Sequence, residues 1–75
     1  MRYLIVITRD GDGWGAYAPD LPGCAATADA RDEVIAHMRE AIAQRLESLR
    51  EQSAPIPAPT SAPAYIDVTL PSTLA

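Results

Sequence analysis

The stretch "AYAPDLPGC", residues 16–24, constrains this chain more than any other. Pro19 and Pro22 each lock φ and lack an N–H, so neither a helix nor a central strand can run through them. Gly23 follows, the residue that admits a tight bend without steric cost. Pro19, Asp20, Pro22, Gly23 and Cys24 are therefore read as a structural turn that passes one strand to another without a long loop. Cys24 is read as a small residue opening the next strand.

Around that corner the pattern alternates between strand and turn. "RYLIVITR" is rich in β-branched and aromatic residues and predicts a strand over 2–9. "DGDG" at 10–13 supplies a hairpin turn, and "WGAYA" predicts the returning strand over 14–18. Trp14 and Tyr17 are an odd number of residues apart, so a regular strand sends them to opposite faces of the sheet. A short third strand is expected over 24–27.

A helix is expected over 30–51, with Asp29 as its N-cap and Asp32 three residues on in a partial capping box. Val34, Ile35, Met38, Ala41, Ile42, Leu46 and Leu49 recur at three- and four-residue steps, one stripe for packing on a sheet. Glu33, Glu40, Gln44, Glu47 and Glu51 fall on the other side, either a solvated surface or a docking one. Arg45 lies within the apolar stripe, where its guanidinium must reach water past the sheet edge or meet a carboxylate. Four prolines in the connection 53–63 exclude helix and central strand and predict an extended return, with Ile56 pinned on the core. The alternation in "AYIDVTL" predicts a last strand over 64–70.

The expected fold class is α+β, a single domain over 1–75 in the order β-β-β-α-β, with one long helix on one face of a mostly antiparallel sheet. Nothing in the chain covers the other face, which is a reason to expect a partner. A chain of 75 residues builds a thin core, so self-association into a homodimer or higher oligomer is expected as well.

Charge and chemistry narrow the function. The net charge is −4 and the cations are six scattered arginines, so no basic patch is present and direct nucleic-acid binding is not expected. A basic protein partner suits the chain better. No apolar run approaches the length of a membrane span and no secretory pattern opens the sequence, so the expected location is cytoplasmic, with no membrane contact. The single His37 and single Cys24 supply neither a metal-ligand set nor a nucleophile with its base. Paired carboxylates from Asp20 with Asp10 or Asp12 are accounted for by turn chemistry. No catalytic residue, metal or cofactor is assigned, and no enzymatic activity is expected.

The run "DGWGAYAPDLPGCAATADARDEVIAHMREAI", followed by "LESLREQSAPIPAPTS" and "YIDV", resembles the HicB-like antitoxins of bacterial type II toxin-antitoxin systems. "PDLPGC" after a short aromatic strand, a helix opening some six residues later and a Pro-x-Pro-x-Pro return together carry the resemblance, which runs from Tyr3 to about Val68. It implies a degenerate RNase H-like domain that self-associates and occludes a small basic toxin, HicA, whose catalytic histidine serves mRNA cleavage. Many members carry a C-terminal DNA-binding segment. This sequence stops at "PSTLA", and DNA contact through such a segment is not expected. The resemblance also implies that Asp29 caps the helix where a threonine often stands at the position of Ala30. For the partner surface the candidates are Trp14, Tyr17 and Tyr65 as aromatic contacts and Asp10, Asp12 and Asp67 as charged ones. The other readings are a stand-alone regulatory or ligand-binding module without a toxin, and a residual RNase H-like nuclease.

Overall fold

A computed structural model describes residues 1–71. Three strands, β1 (Val6–Asp10), β2 (Gly13–Tyr17) and β3 (Ala25–Ala28), precede one helix, α1 (Arg31–Glu51). The strands form an antiparallel sheet in the order β1-β2-β3, and the helix packs on β2 and β3, an α+β arrangement.

The hairpin between β1 and β2 closes through Gly11 and Asp12, with Asp10 opposite Gly13. Gly11 takes φ +61, the conformation that the first central residue of a two-residue type II′ loop requires. Register then assigns the faces. Ile7, Ala16 and Ala26 lie across from one another, as do Arg9, Trp14 and Ala28, and this is the side that meets α1. Val6, Tyr17 and Ala25 point the opposite way, onto a face that none of the described helices or strands covers. Trp14 and Tyr17 do occupy opposite faces.

The proline corner consists of two consecutive β-turns. Leu21 N–H donates to Ala18 O at 3.1 Å and Cys24 N–H to Leu21 O at 3.0 Å, which puts Pro19 and Pro22 each at the second turn position that proline favours. Gly23 follows Pro22 at φ +83, as a type II turn demands. Ala18 N–H donates to Cys24 O at 3.1 Å and closes the base. Leu21, at the shared apex, is only 1 % exposed and sits in the core with Ala16, Ala18, Cys24, Val34 and Met38.

Val34 and Met38 are fully buried, and Ile35, Ala41, Ile42 and Leu46 flank them, as the stripe predicts. The helix ends in a Schellman arrangement: Ser53 N–H donates to Arg50 O at 3.0 Å and Ala54 N–H to Leu49 O at 2.9 Å. Ser53 occupies the left-handed position at φ +55 that glycine usually fills.

Several expectations are corrected. The first strand begins at Val6, not residue 2, because its last partner is Tyr17 and the corner then carries the chain away from Tyr3, Leu4 and Ile5. Asp29 does not cap the helix: Ala30 is the N-cap, and no side chain bonds the first-turn amides. Asp29 lies one residue too early, and Asp32 and Glu33 place negative charge in the first turn instead. Ile56 is exposed, and the connection is fastened by other contacts. The strand expected over 64–70 is not formed within the chain. Residues 64–70 run extended and outside the sheet, so β-β-β-α is the order of the described elements.

Candidate partner interface

The corner ties three parts of the molecule together. Asp20 projects from it toward the C-terminal connection. Its Oδ2 accepts from the N–H groups of Thr60 and Ser61 at 3.0 and 2.9 Å, and its Oδ1 from their hydroxyls at 3.1 and 2.8 Å. These bonds, led by those from Ser61, stabilise the ionised carboxylate and hold the Asp20 pKa below its ordinary value. Opposite, Arg45 leaves the helix stripe and donates from Nη2 to Pro22 O at 2.6 Å. The sequence left Arg45 two partners, water or a carboxylate, and the structure supplies a backbone carbonyl. The hydroxyl of Tyr3 donates to Pro57 O, a second mooring for the connection.

His37, exposed on α1, has Nδ1 at 3.2 Å from Thr27 O. A carbonyl only accepts, so Nδ1 carries the proton in that bond, which fastens the helix to edge strand β3. Among the described residues no three His, Cys, Asp or Glu side chains converge as metal ligands.

The candidate contact residues fall into three places. Asp10 and Asp12 lie at the hairpin tip. Beside them Trp14 is half-buried on the helix side, with the Arg9 guanidinium carbon 4.9 Å from its ring centroid. Tyr17 lies at the far end of β2, 50 % exposed on the open face beside Val6 and Ala25. Tyr65 and Asp67 belong to the extended terminal segment, with Tyr65 96 % exposed. The structure thus does not gather the six into one patch. Asp20 with Thr60 and Ser61, the contact that aims the terminal segment, escaped sequence reasoning because the partners are some forty residues apart.

Comparison with known proteins defines the class. Residues 3–72 match the sequence profile described as "HicB_like antitoxin of bacterial toxin-antitoxin system". The chain belongs to this HicB-like antitoxin family. It is 36 % identical over 58 residues to a UPF0150 protein of Thermoplasma acidophilum, spanning 76 % of this chain and 84 % of that protein. A UPF0150 protein of Archaeoglobus fulgidus is 42 % identical over 48 residues, 63 % of this chain and 70 % of the relative. Among solved structures, a chain of a "HicA3 and HicB3 toxin-antitoxin complex" superposes with a TM-score of 0.69 at 30 % identity, covering 81 % of this chain and 71 % of that one. Among the described residues no helix is long and apolar enough to cross a membrane.

Proposed function

We propose that this protein is an antitoxin that binds and neutralises a small basic mRNA-cleaving toxin of the HicA type. The observation that carries the reading is the match to the antitoxin family over residues 3–72. The likeness to a chain of a toxin-antitoxin complex supports it. The physical properties of the chain fit as well: a net charge of −4 favours encounter with a basic protein, and the open sheet face around Val6, Tyr17 and Ala25 offers apolar contact. In this reading the chain inhibits by covering the toxin and performs no chemistry itself. It acts in the cytoplasm, where mRNA is cut. Tyr17 serves as the aromatic contact on the open face, Asp10 and Asp12 as charged contacts at the hairpin tip, and Trp14 supports that tip from the helix side.

Co-expression with a small basic reading frame adjacent to the gene tests this. The expected result is a stable complex in which the partner's ribonuclease activity is suppressed. Failure to associate at moderate salt, or full ribonuclease activity in the complex, rejects the reading.

A further inference from the structure

The sequence holds four glycines, and three of them are accounted for by the chain itself. Gly11 and Gly23 take positive φ in their turns, and a Cβ on Gly13 would stand 2.8 Å from the carbonyl oxygen of Ala28. Gly15 meets neither condition. It lies in the middle of β2 without a left-handed φ, and a Cβ built on it would have Thr8 Oγ1 at 3.8 Å and Ala26 O at 4.0 Å, ordinary contact distances. Register places Thr8 on one side of it and Thr27 on the other. A β-branched residue between two threonines would strengthen the strand, whereas glycine in a strand interior weakens it.

Gly15 looks away from α1. Its neighbours Trp14 and Ala16 have their side chains on the helix side, so position 15 opens onto the uncovered sheet face together with Tyr17. Across this face Val6, Tyr17 and Ala25 form one row, and Thr8, Gly15 and Thr27 the next. Thr8, Tyr17, Ala25 and Thr27 are exposed, and no described helix or strand lies over them. The face therefore has a gap at its centre, where another molecule can approach the β2 backbone more closely than a side chain at position 15 would allow. Charge names the kind of molecule. Arg9, the cation of β1, is turned to the helix side over Trp14, while Asp10 and Asp12 stand at the hairpin end of the face. The charged groups by which the β1–β2 hairpin borders the open face are acidic, and they complement a basic surface.

We infer that the basic toxin seats on this open face, with its main chain or a small side chain directly over Gly15, between Thr8 and Thr27. This placement rests on the antitoxin reading and deepens it, because it names the position that sets how closely the two surfaces meet. Gly15 is then a specificity residue: the side chain it lacks is space that the toxin fills, and a filled position 15 holds the toxin off. The hydroxyls of Thr8 and Thr27 border that space as donors and acceptors for polar groups of the toxin backbone. Tyr17 anchors the contact at one end of the face, and Asp10 and Asp12 draw the toxin's cations to the other.

Gly15→Thr is the test, since it adds a strand-favouring side chain for which the fold itself has room. Binding of the product of the small basic reading frame beside the gene is measured by calorimetric titration for the wild type, Gly15→Ala and Gly15→Thr, with thermal melts of each chain alone. The expected result is an unchanged or raised melting temperature in both variants and an affinity that falls in steps, with a loss of about tenfold to a hundredfold for Gly15→Thr. Amide shifts of the labelled wild-type chain on adding the same protein give a readout free of any substitution, with Thr8, Gly15 and Thr27 expected among the most perturbed. Wild-type affinity retained in Gly15→Thr, or shifts confined to α1, overturns the inference and leaves the antitoxin reading in place. A wild type that does not bind overturns both. A large loss of stability in both variants also overturns the inference, because the chain itself then needs the glycine. A solution mass that falls in Gly15→Thr while toxin affinity holds overturns it too, and assigns the face to another copy of the chain.

Discussion

The guanidinium of Arg45 donates to the carbonyl oxygen of Pro22 at 2.6 Å, so the helix is bolted to the corner that turns β2 toward β3. Gly23 lies directly under this bond, and a Cβ built on it would stand 2.9 Å from Arg45 Nη2. Gly23→Ala therefore meets a left-handed backbone and a displaced guanidinium together, and is expected to cost about 1–2 kcal/mol, read by chemical denaturation. Arg45→Met is expected to cost about 1 kcal/mol, since the bond is charge-assisted but exposed. The two effects are expected to be less than additive in the double variant, because removing Arg45 also removes the contact with the new methyl.

Leu21 is the largest side chain that the corner places in the core. With 1 % exposure, Leu21→Ala leaves a hole beneath both turns and is expected to cost about 2.7–5 kcal/mol. In a chain of this size that is a large share of the total stability. Thermal unfolding followed at the helix band checks it.

The Asp20 anchor is expected to depend on pH. Its hydrogen bonds to Ser61 and Thr60 lower the pKa in the folded protein below the ordinary carboxylate range. A depressed carboxylate contributes fully above its unfolded value and loses that contribution as pH falls through the folded value. The connection is therefore expected to stay fastened at neutral pH and to release in the acid range below the ordinary carboxylate pKa. Amide shifts of Thr60 and Ser61 in a pH titration report it, and Asp20→Asn should show the released shifts throughout the range.

Ser53 supplies the opposite kind of test. It holds φ +55 at the helix terminus, where a side chain costs more than glycine. Ser53→Gly is expected to stabilise the protein by about 0.5–1 kcal/mol, read as a rise in denaturation midpoint at unchanged slope.

Under the proposed antitoxin function, Trp14 and Tyr17 are expected to separate stability from recognition. Trp14 packs against the core and under Arg9, so Trp14→Ala is expected to lower stability by about 1.5–3 kcal/mol. Tyr17 is half in water on the uncovered face. Tyr17→Ala is expected to weaken toxin binding about tenfold or more while leaving the melting temperature nearly unchanged. Calorimetric titration with the toxin, set beside thermal melts of both variants, checks the pair.

The parts of the fold legible in the sequence are those governed by neighbours along the chain. Gly11 in the hairpin, the prolines and Gly23 of the corner, and the stripe from Val34 to Leu49 each follow from a local steric or periodic rule. Asp29 was misleading because capping depends on which residue the incoming chain leaves at the boundary, and that residue is Ala30. The bonds from Asp20 to Thr60 and Ser61 and from Arg45 to Pro22 carry no short-range signature, since each joins side chains to backbone brought near only by packing.

For residues 64–70 the alternation of Ile66, Val68 and Leu70 is a property of the sequence and marks them as a strand in any setting that offers a partner. Whether that partner lies in the same chain is a matter of where the connection is moored, and Asp20 moors it at the end of the sheet from which the segment leads away. Local composition thus determined what each segment can form, through φ restriction and apolar periodicity. Only the tertiary structure decided which surfaces are used up within the chain and which are left over, because that depends on contacts between residues distant in sequence.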